Sequence, residues 1–157
     1  MGRVDHYGDP DAPAANSLVP SVTAVARRTD GTLLLVRRSD NGLWALPGGA
    51  VDLGESVSRA VTREVEEETG ILVRAVGLVG IYSDPRHVIV YDDGEVRQQF
   101  SLCFTTEILG GSLRTSPETS QVLFVAPGDL DELEIHPSMR LRIAHGLDSD
   151  RRTPHIG

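Results

Sequence analysis

Three glutamates, Glu64, Glu67 and Glu68, stand close together in the run Arg63-Glu64-Val65-Glu66-Glu67-Glu68-Thr69. The segment from Ser56 to Thr69 reads as a helix, with Ser56 as N-cap and Gly70 as the left-handed residue after its end. At about 100° per residue, Val57, Ala60, Val61 and Val65 form a core-facing stripe, and Arg59, Thr62 and Glu66 take the opposite, solvated face. Glu64 and Glu68 fall in the middle of the apolar stripe and Glu67 at its edge. Nothing in fold stability asks for this. A buried unpaired charge is costly, like charges at i,i+4 repel, and acids near a helix C-terminus oppose the macrodipole. A hard divalent cation such as Mg²⁺ removes all three conflicts, because it takes oxygen ligands and carboxylates at i, i+3 and i+4 can converge on it. Taken from the helix alone, the competing reading is a solvated acidic patch.

The elements that would position this helix are legible around it. From Val19, Val22, Ala24 and Ala26 alternate with Thr23 and Val25 as a strand, Asp30-Gly31 supplies a turn, and Leu33 to Arg38 return as a hairpin partner. Asn41 to Ala50 is too rich in Gly and Pro for a regular element and reads as a loop in a special backbone conformation. Strand-like runs follow at 71–81, 87–91, 96–109 and 121–125, with a hairpin turn at Asp92-Asp93-Gly94. A last helix is expected to start near Pro137, with Met139, Ile143 and Leu147 as its apolar stripe. Strands, a helix, more strands and a helix imply an α/β fold of the mixed α+β kind, a mixed sheet covered by helices. Residues 1–17, without hydrophobic period, read as an extended N-terminal arm; 18–148 form the domain; 149–157 are a tail.

Composition narrows the function classes. A chain of 157 residues with a 39% hydrophobic fraction suits one domain with one core. A net charge of −8 argues against a nucleic-acid partner but not against a small phosphorylated one, provided a cation lies between. No apolar run approaches the roughly 18 residues of a membrane span, and the N-terminus has no apolar core of a secretory signal. Cys103 stands alone, which fits a reducing cytosol, and the expected location is cytoplasmic; the thiol reads as a small buried hydrophobe in a strand. The five histidines show no metal-ligand spacing and read as solvated or packed side chains.

From Gly49 the chain runs G-A-V-D-L-G-E-S-V-S-R-A-V-T-R-E-V-E-E-E-T-G-I. This resembles the Nudix box, G-x5-E-x7-R-E-U-x-E-E-x-G-U with U aliphatic, at every fixed position: Gly49, Glu55, Arg63, Glu64, Val65, Glu67, Glu68, Gly70 and Ile71. The preceding L-P-G-G and hairpin also look like the family, and the resemblance extends from about Val19 to Leu147. It implies the Nudix fold, a mixed sheet sandwiched between helices with the box as loop–helix–loop. It implies metal-dependent hydrolysis of a nucleoside diphosphate linked to another group, X. Glu64, Glu67 and Glu68 would hold Mg²⁺, or Mn²⁺, with the Gly48 carbonyl as a further ligand. Arg63 would orient Glu64, and Glu55 would pair with Arg63. Glu64 or Glu67 in the box, or Glu118 before the strand Q-V-L-F-V, would take the proton of the attacking water. Arg38 matches a position that contacts phosphate in some family members; otherwise it is a surface-strand arginine. Arg86, His87 and Arg97 are weaker candidates for phosphate contact. The resemblance leaves a homodimer open.

The substrate is less legible. Pro85 lies 15 residues beyond Gly70, a spacing that in the family accompanies ADP-ribose or related nucleotide sugars; a strand-ending proline is the plain alternative. The expected partner is a small nucleotide, ADP-ribose first and a MutT-like triphosphate or oxidised nucleotide second. A non-catalytic Nudix-like sensor is the alternative of another class, disfavoured because all box carboxylates are present. An isoprenoid isomerase would need a reactive Cys, which the strand context of Cys103 does not supply.

Overall fold

The computed structural model describes residues 2–157, so Met1 of the expected arm lies outside the described residues. In chain order the strands are β1 (Arg3–Tyr7), β2 (Ser17–Ala26), β3 (Leu33–Arg38), β4 (Trp44–Ala45) and β5 (Gly48–Ala50). Helix α1 (Val57–Thr69) follows, then β6 (Ile71–Tyr82), β7 (His87–Tyr91), β8 (Val96–Gly111) and β9 (Thr119–Val125). A 3-10 turn at Pro127–Glu132, helix α2 (Pro137–Leu147) and β10 (His155–Ile156) complete the chain.

Two sheets result. The long strand β8 organises a mixed sheet: β2 runs parallel along one edge, and β7 and β6 lie antiparallel along the other. β1 extends this sheet beyond β7, β5 beyond β2, and β10 runs parallel to β6. The second sheet is antiparallel, in the order β4-β3-β9. The expected fold class holds, with the sheet between two helices. β3 shows how: Leu34 and Val36 pack in a cluster with Ala60, Val61 and Val65 of α1, whereas Leu33 and Leu35 join Val79, Cys103 and Ile143 of α2 on the other side. A strand buried on both faces is apolar throughout, and all four residues from Leu33 to Val36 are buried. The Asp92–Gly94 turn joins β7 to β8 as expected.

Sequence expectations change at several points. The Asp30-Gly31 turn forms, with Gly31 N–H donating to the Arg28 carbonyl, but β2 and β3 do not make a hairpin ladder. They share one bridge, Arg27 to Leu33, then diverge into different sheets, because each is apolar on both sides and needs its own cover. The presumed loop from Asn41 to Ala50 contains β4 and β5. Val57, placed on the core stripe by periodicity, is exposed; it is the first helical residue and overhangs the core. Thr62, placed on the solvated face, donates from its hydroxyl to the Val73 carbonyl of β6. The segments read as arm and tail both carry strands: β1 pairs with β7 from Arg3↔Tyr91 to Tyr7↔His87, and β10 pairs with β6.

Candidate active site

The site begins where β5 runs antiparallel to β2, with Thr23 opposite Gly48 and Val22 opposite Gly49. A Cβ on Gly48 would lie 2.0 Å from the Val22 carbonyl oxygen, so no side chain fits there. A Cβ on Gly49 would lie 2.5 Å from the Glu64 carboxylate. Glycine at 49 therefore opens the space in which Glu64 sits. α1 is capped by the Ser56 side chain, which accepts from the Arg59 amide, and ends on Gly70 at φ 78°. The carbonyls at its end are met by Arg114, whose guanidinium donates to Glu66 O at 3.0 Å and Glu67 O at 3.4 Å. That cation at the C-terminus offsets the acids that oppose the macrodipole. Nothing near Arg114 in sequence marks it for this task.

Arg63 is the hub of the acidic face. Its Nε donates to Glu55 Oε1 at 2.7 Å and its Nη2 to Glu55 Oε2 at 3.0 Å. Its Nη1 donates to Glu64 Oε1 at 2.8 Å and Glu67 Oε2 at 3.2 Å, and Nη2 also reaches the Ala50 carbonyl. The Arg63 bond, then the Asp52 amide, hold the Glu55 carboxyl down at about 2. Glu64 behaves oppositely: burial raises its pKa despite Arg63. Glu68 is 6% exposed. Burial first, then repulsion from Glu64, pushes its carboxyl up to about 8 against the pull of Arg38. Glu118 adds repulsion to both. Its loop is pinned beside α1: Ser39 N–H donates to the Glu118 carbonyl, and the Thr119 hydroxyl donates to the Glu68 carbonyl at 3.0 Å.

Gly48 and Gly49, the latter packed on the Glu64 carboxylate, line a cleft of about 340 Å³ together with Arg38 and Glu118, whereas Glu67 lines a separate groove with Glu55 and Arg63. Arg38 is held bidentately by Asp40, at 3.0 and 2.7 Å. Burial works against its charge, but Asp40 more than offsets this and raises its pKa. Arg97 also lines the cleft, paired with Glu95 and lying over the Tyr91 ring at 4.8 Å. His87 is buried against Asp5, with His87 Nε2 2.7 Å from Asp5 Oδ1. Arg86 points away, exposed and paired with Asp84. Pro85 does not border this cleft; it lines a neighbouring cavity of about 460 Å³ that shares His87, Ser138 and Arg142 with it. Cys103 is fully buried in β8, its thiol pushed up to about 11 by burial. The cleft also contains Arg3 and Asp5 of β1, and Arg142 of α2, which sequence reasoning did not single out.

The donor set suits a hard cation: every candidate ligand is an oxygen, and Glu68 is a buried carboxylate that the protein leaves short of positive charge. Among the described residues, no three acidic, imidazole or thiol side chains enclose a point tightly enough to hold an ion. Glu64 and Glu67 are instead paired with the Arg63 guanidinium, at 2.8 and 3.2 Å. No helix among the described residues is long and apolar enough to cross a membrane.

The NUDIX domain family model matches residues 17–145. A MutT-like protein of Streptomyces ambofaciens is 38% identical over 136 residues, 87% of this chain and 80% of that protein. An ADP-ribose pyrophosphatase of Methanocaldococcus jannaschii is 37% identical over 112 residues, 66% of this chain and 60% of the archaeal protein. Among solved structures, an ADP-ribose pyrophosphatase from Streptococcus suis superposes with a TM-score of 0.67 at 27% identity, covering 88% of this chain and 96% of that one. Box, fold and relatives agree that the chain belongs to the Nudix hydrolase family, enzymes that act on small nucleotides and generally use divalent metals such as Mg²⁺.

Proposed function

We propose that this chain hydrolyses the diphosphate linkage of ADP-ribose or a related nucleotide sugar, giving a nucleoside monophosphate and a sugar phosphate. One observation carries the reading: Glu118 and Gly49, the glycine against which the Glu64 carboxylate packs, line a cleft whose lining continues past Arg38 to α2, leaving space for a group beyond the diphosphate. The name ADP-ribose pyrophosphatase, carried by both a sequence relative and a structural neighbour, supports the same choice. The name of the Streptomyces relative supports the second reading, a MutT-like hydrolase of a nucleoside triphosphate or oxidised nucleotide. A non-catalytic sensor has no reason to keep a carboxylate at Glu68, where burial first and then repulsion from Glu64 and Glu118 disfavour its charge.

Glu64, Glu67 and Glu68, with the Gly48 carbonyl, are the groups that would hold Mg²⁺ or Mn²⁺. The ion, when bound, supplies neutralisation of the phosphoryl oxygens and a more acidic water. The rest belongs to the protein. Arg38 presents a planar guanidinium to non-bridging phosphate oxygens. Glu55 holds Arg63, and Arg63 holds the Glu64 and Glu67 carboxylates in place. A carboxylate accepts one proton from water as its oxygen bonds to phosphorus, and the bridging P–O bond breaks with its electron pair leaving on the departing phosphate. Glu118, exposed at the lip of the cleft, and Glu64 or Glu67 in the box are the candidates for that base. The test is a panel of ADP-ribose, nucleotide sugars and nucleoside triphosphates with Mg²⁺, with products identified by mass. AMP with ribose 5-phosphate is expected from ADP-ribose; preferential pyrophosphate release from a triphosphate would replace the substrate assignment with the MutT-like one.

A further inference from the structure

Arg142 is 1% exposed. Among the described residues its Nε has no hydrogen-bond partner, and its Nη1 reaches the Met139 sulfur at 3.5 Å. The guanidinium carbon lies 5.1 Å from the centre of the Tyr82 ring. A cation–π contact is worth about 0.5–2 kcal/mol, whereas taking an unpaired ion out of water costs several kcal/mol. The fold therefore leaves this charge uncompensated. The acid whose field reaches it, Asp5, is already committed: its Oδ1 faces His87, and its Oδ2 accepts from Arg3 Nη2 at 3.1 Å. Burial accordingly lowers the Arg142 pKa.

The surroundings hold further polar atoms without a hydrogen-bond partner. Four buried side-chain polar atoms lack partners among the described residues, and three of them, Arg3 Nε, Thr23 Oγ1 and Arg142 Nε, belong to residues lining the cleft. Ser138, one turn before Arg142 on the same face of α2, lines it too, so the positive N-terminal end of α2 faces the same space. Arg142 lines both the cleft and the neighbouring cavity and so forms part of the wall between them.

We propose that the α2 end of the cleft is an anion subsite in which Arg142, with Arg3 beside it, takes a phosphate or carboxylate carried by the substrate outside its scissile diphosphate. The proposal rests on the cleft being the substrate site. An anion delivered there gives the buried guanidinium the bidentate partner the fold withholds, in surroundings where water screens the attraction poorly. The preferred substrate is then a nucleoside diphosphate derivative with an additional acidic group, on the sugar or on the nucleoside.

Two measurements test this. First, inorganic phosphate is titrated into metal-free protein at constant ionic strength while thermal melting is followed. Phosphate is expected to raise the Tm of wild type and to leave that of Arg142→Gln where it was; an equal rise in both, or none in wild type, overturns the subsite. Because Arg38 in the same cleft could also meet phosphate, Arg142→Lys, which keeps the charge but not the fork, stands in where the Gln variant fails to fold; it is expected to retain only part of the rise, and a full rise in it overturns the subsite. Second, kcat/KM is compared for UDP-glucuronate against UDP-glucose and for 2′-phosphorylated ADP-ribose against ADP-ribose, which separates carboxylate from phosphate. Wild type is expected to favour an anionic member by about 10-fold or more through KM, as for a hydrogen bond to a charged group, and Arg142→Gln to bring the ratio near one. Indifference of wild type to both anions overturns the proposal. Absence of turnover with every diphosphate would instead overturn the proposed function, while the phosphate titration still decides the subsite.

Discussion

The two ends of the cleft carry the same physical irregularity with opposite sign. At the box end, Glu68 is a buried carboxylate crowded by Glu64 and Glu118; at the α2 end, Arg142 is a buried guanidinium without a hydrogen-bonded acid. Each is a charge that folding alone has no reason to bury, and each is relieved by something that arrives from outside. They differ in construction. The acidic end comes from neighbours on one helix, whereas the basic end brings together β1 and α2, segments at opposite extremes of the chain. A local irregularity declares itself in the order of residues, and a dispersed one does not.

The largest expected effect separates the ends by ion. EDTA should abolish turnover and Mg²⁺ or Mn²⁺ restore it, because the carboxylates alone repel a diphosphate; full activity in metal-free buffer would refute the role given to the acidic end. Next comes the chemistry within that end. Glu67→Gln should lower kcat by about 10²-fold or more while metal-free folding stays intact, since the change also relieves repulsion along α1. Glu118→Gln should cost about 10²–10⁴-fold in kcat with little change in KM where Glu118 is the base. A near-normal kcat in that variant moves the base to Glu64 or Glu67. Strong loss of metal-free stability in Glu67→Gln would make Glu67 structural.

The smallest effect concerns stability against pH. Burial, then repulsion from Glu64, pushes the Glu68 carboxyl up to about 8 in the folded chain, against an ordinary value of 4.5. A raised carboxyl favours the fold fully below 4.5 and stops doing so as pH rises through about 8. Metal-free wild type should therefore lose stability across that window. Glu68→Gln should flatten the slope and be more stable at the alkaline end by about 1–3 kcal/mol, the usual scale of an uncompensated buried polar group. Denaturant melts at both ends of the window check it, and parallel curves for the two proteins would mean that Glu68 is less isolated than its burial implies.

What was legible follows from locality. Helix α1, its caps at Ser56 and Gly70, and its misplaced acids could be read from spacing, because i, i+3 and i+4 fix direction on a helix. The Asp92–Gly94 hairpin and α2 from Pro137 were equally local. The hairpin expected at Asp30-Gly31 failed because turn chemistry says where a chain reverses, and only the need to cover both faces of β2 and β3 sent them to different sheets. Periodicity put Val57 in the core because a helical wheel carries no information about where the partner sheet stops.

By itself, then, the sequence determined the acidic helix with its caps and the α/β order of elements, while the space that Gly49 leaves for Glu64 emerged from the packing of β5 against α1. Tertiary structure alone decided that β1 and β10 join the sheet, that Arg114 caps α1, that Pro85 faces a different cavity from Arg38, and that Arg142 is buried at the cleft. The reason is physical. A carboxylate cluster on one helix is set by backbone geometry over a single turn or two, whereas the surroundings of Arg142 depend on which distant strands pack against α2, and no spacing along the chain records that.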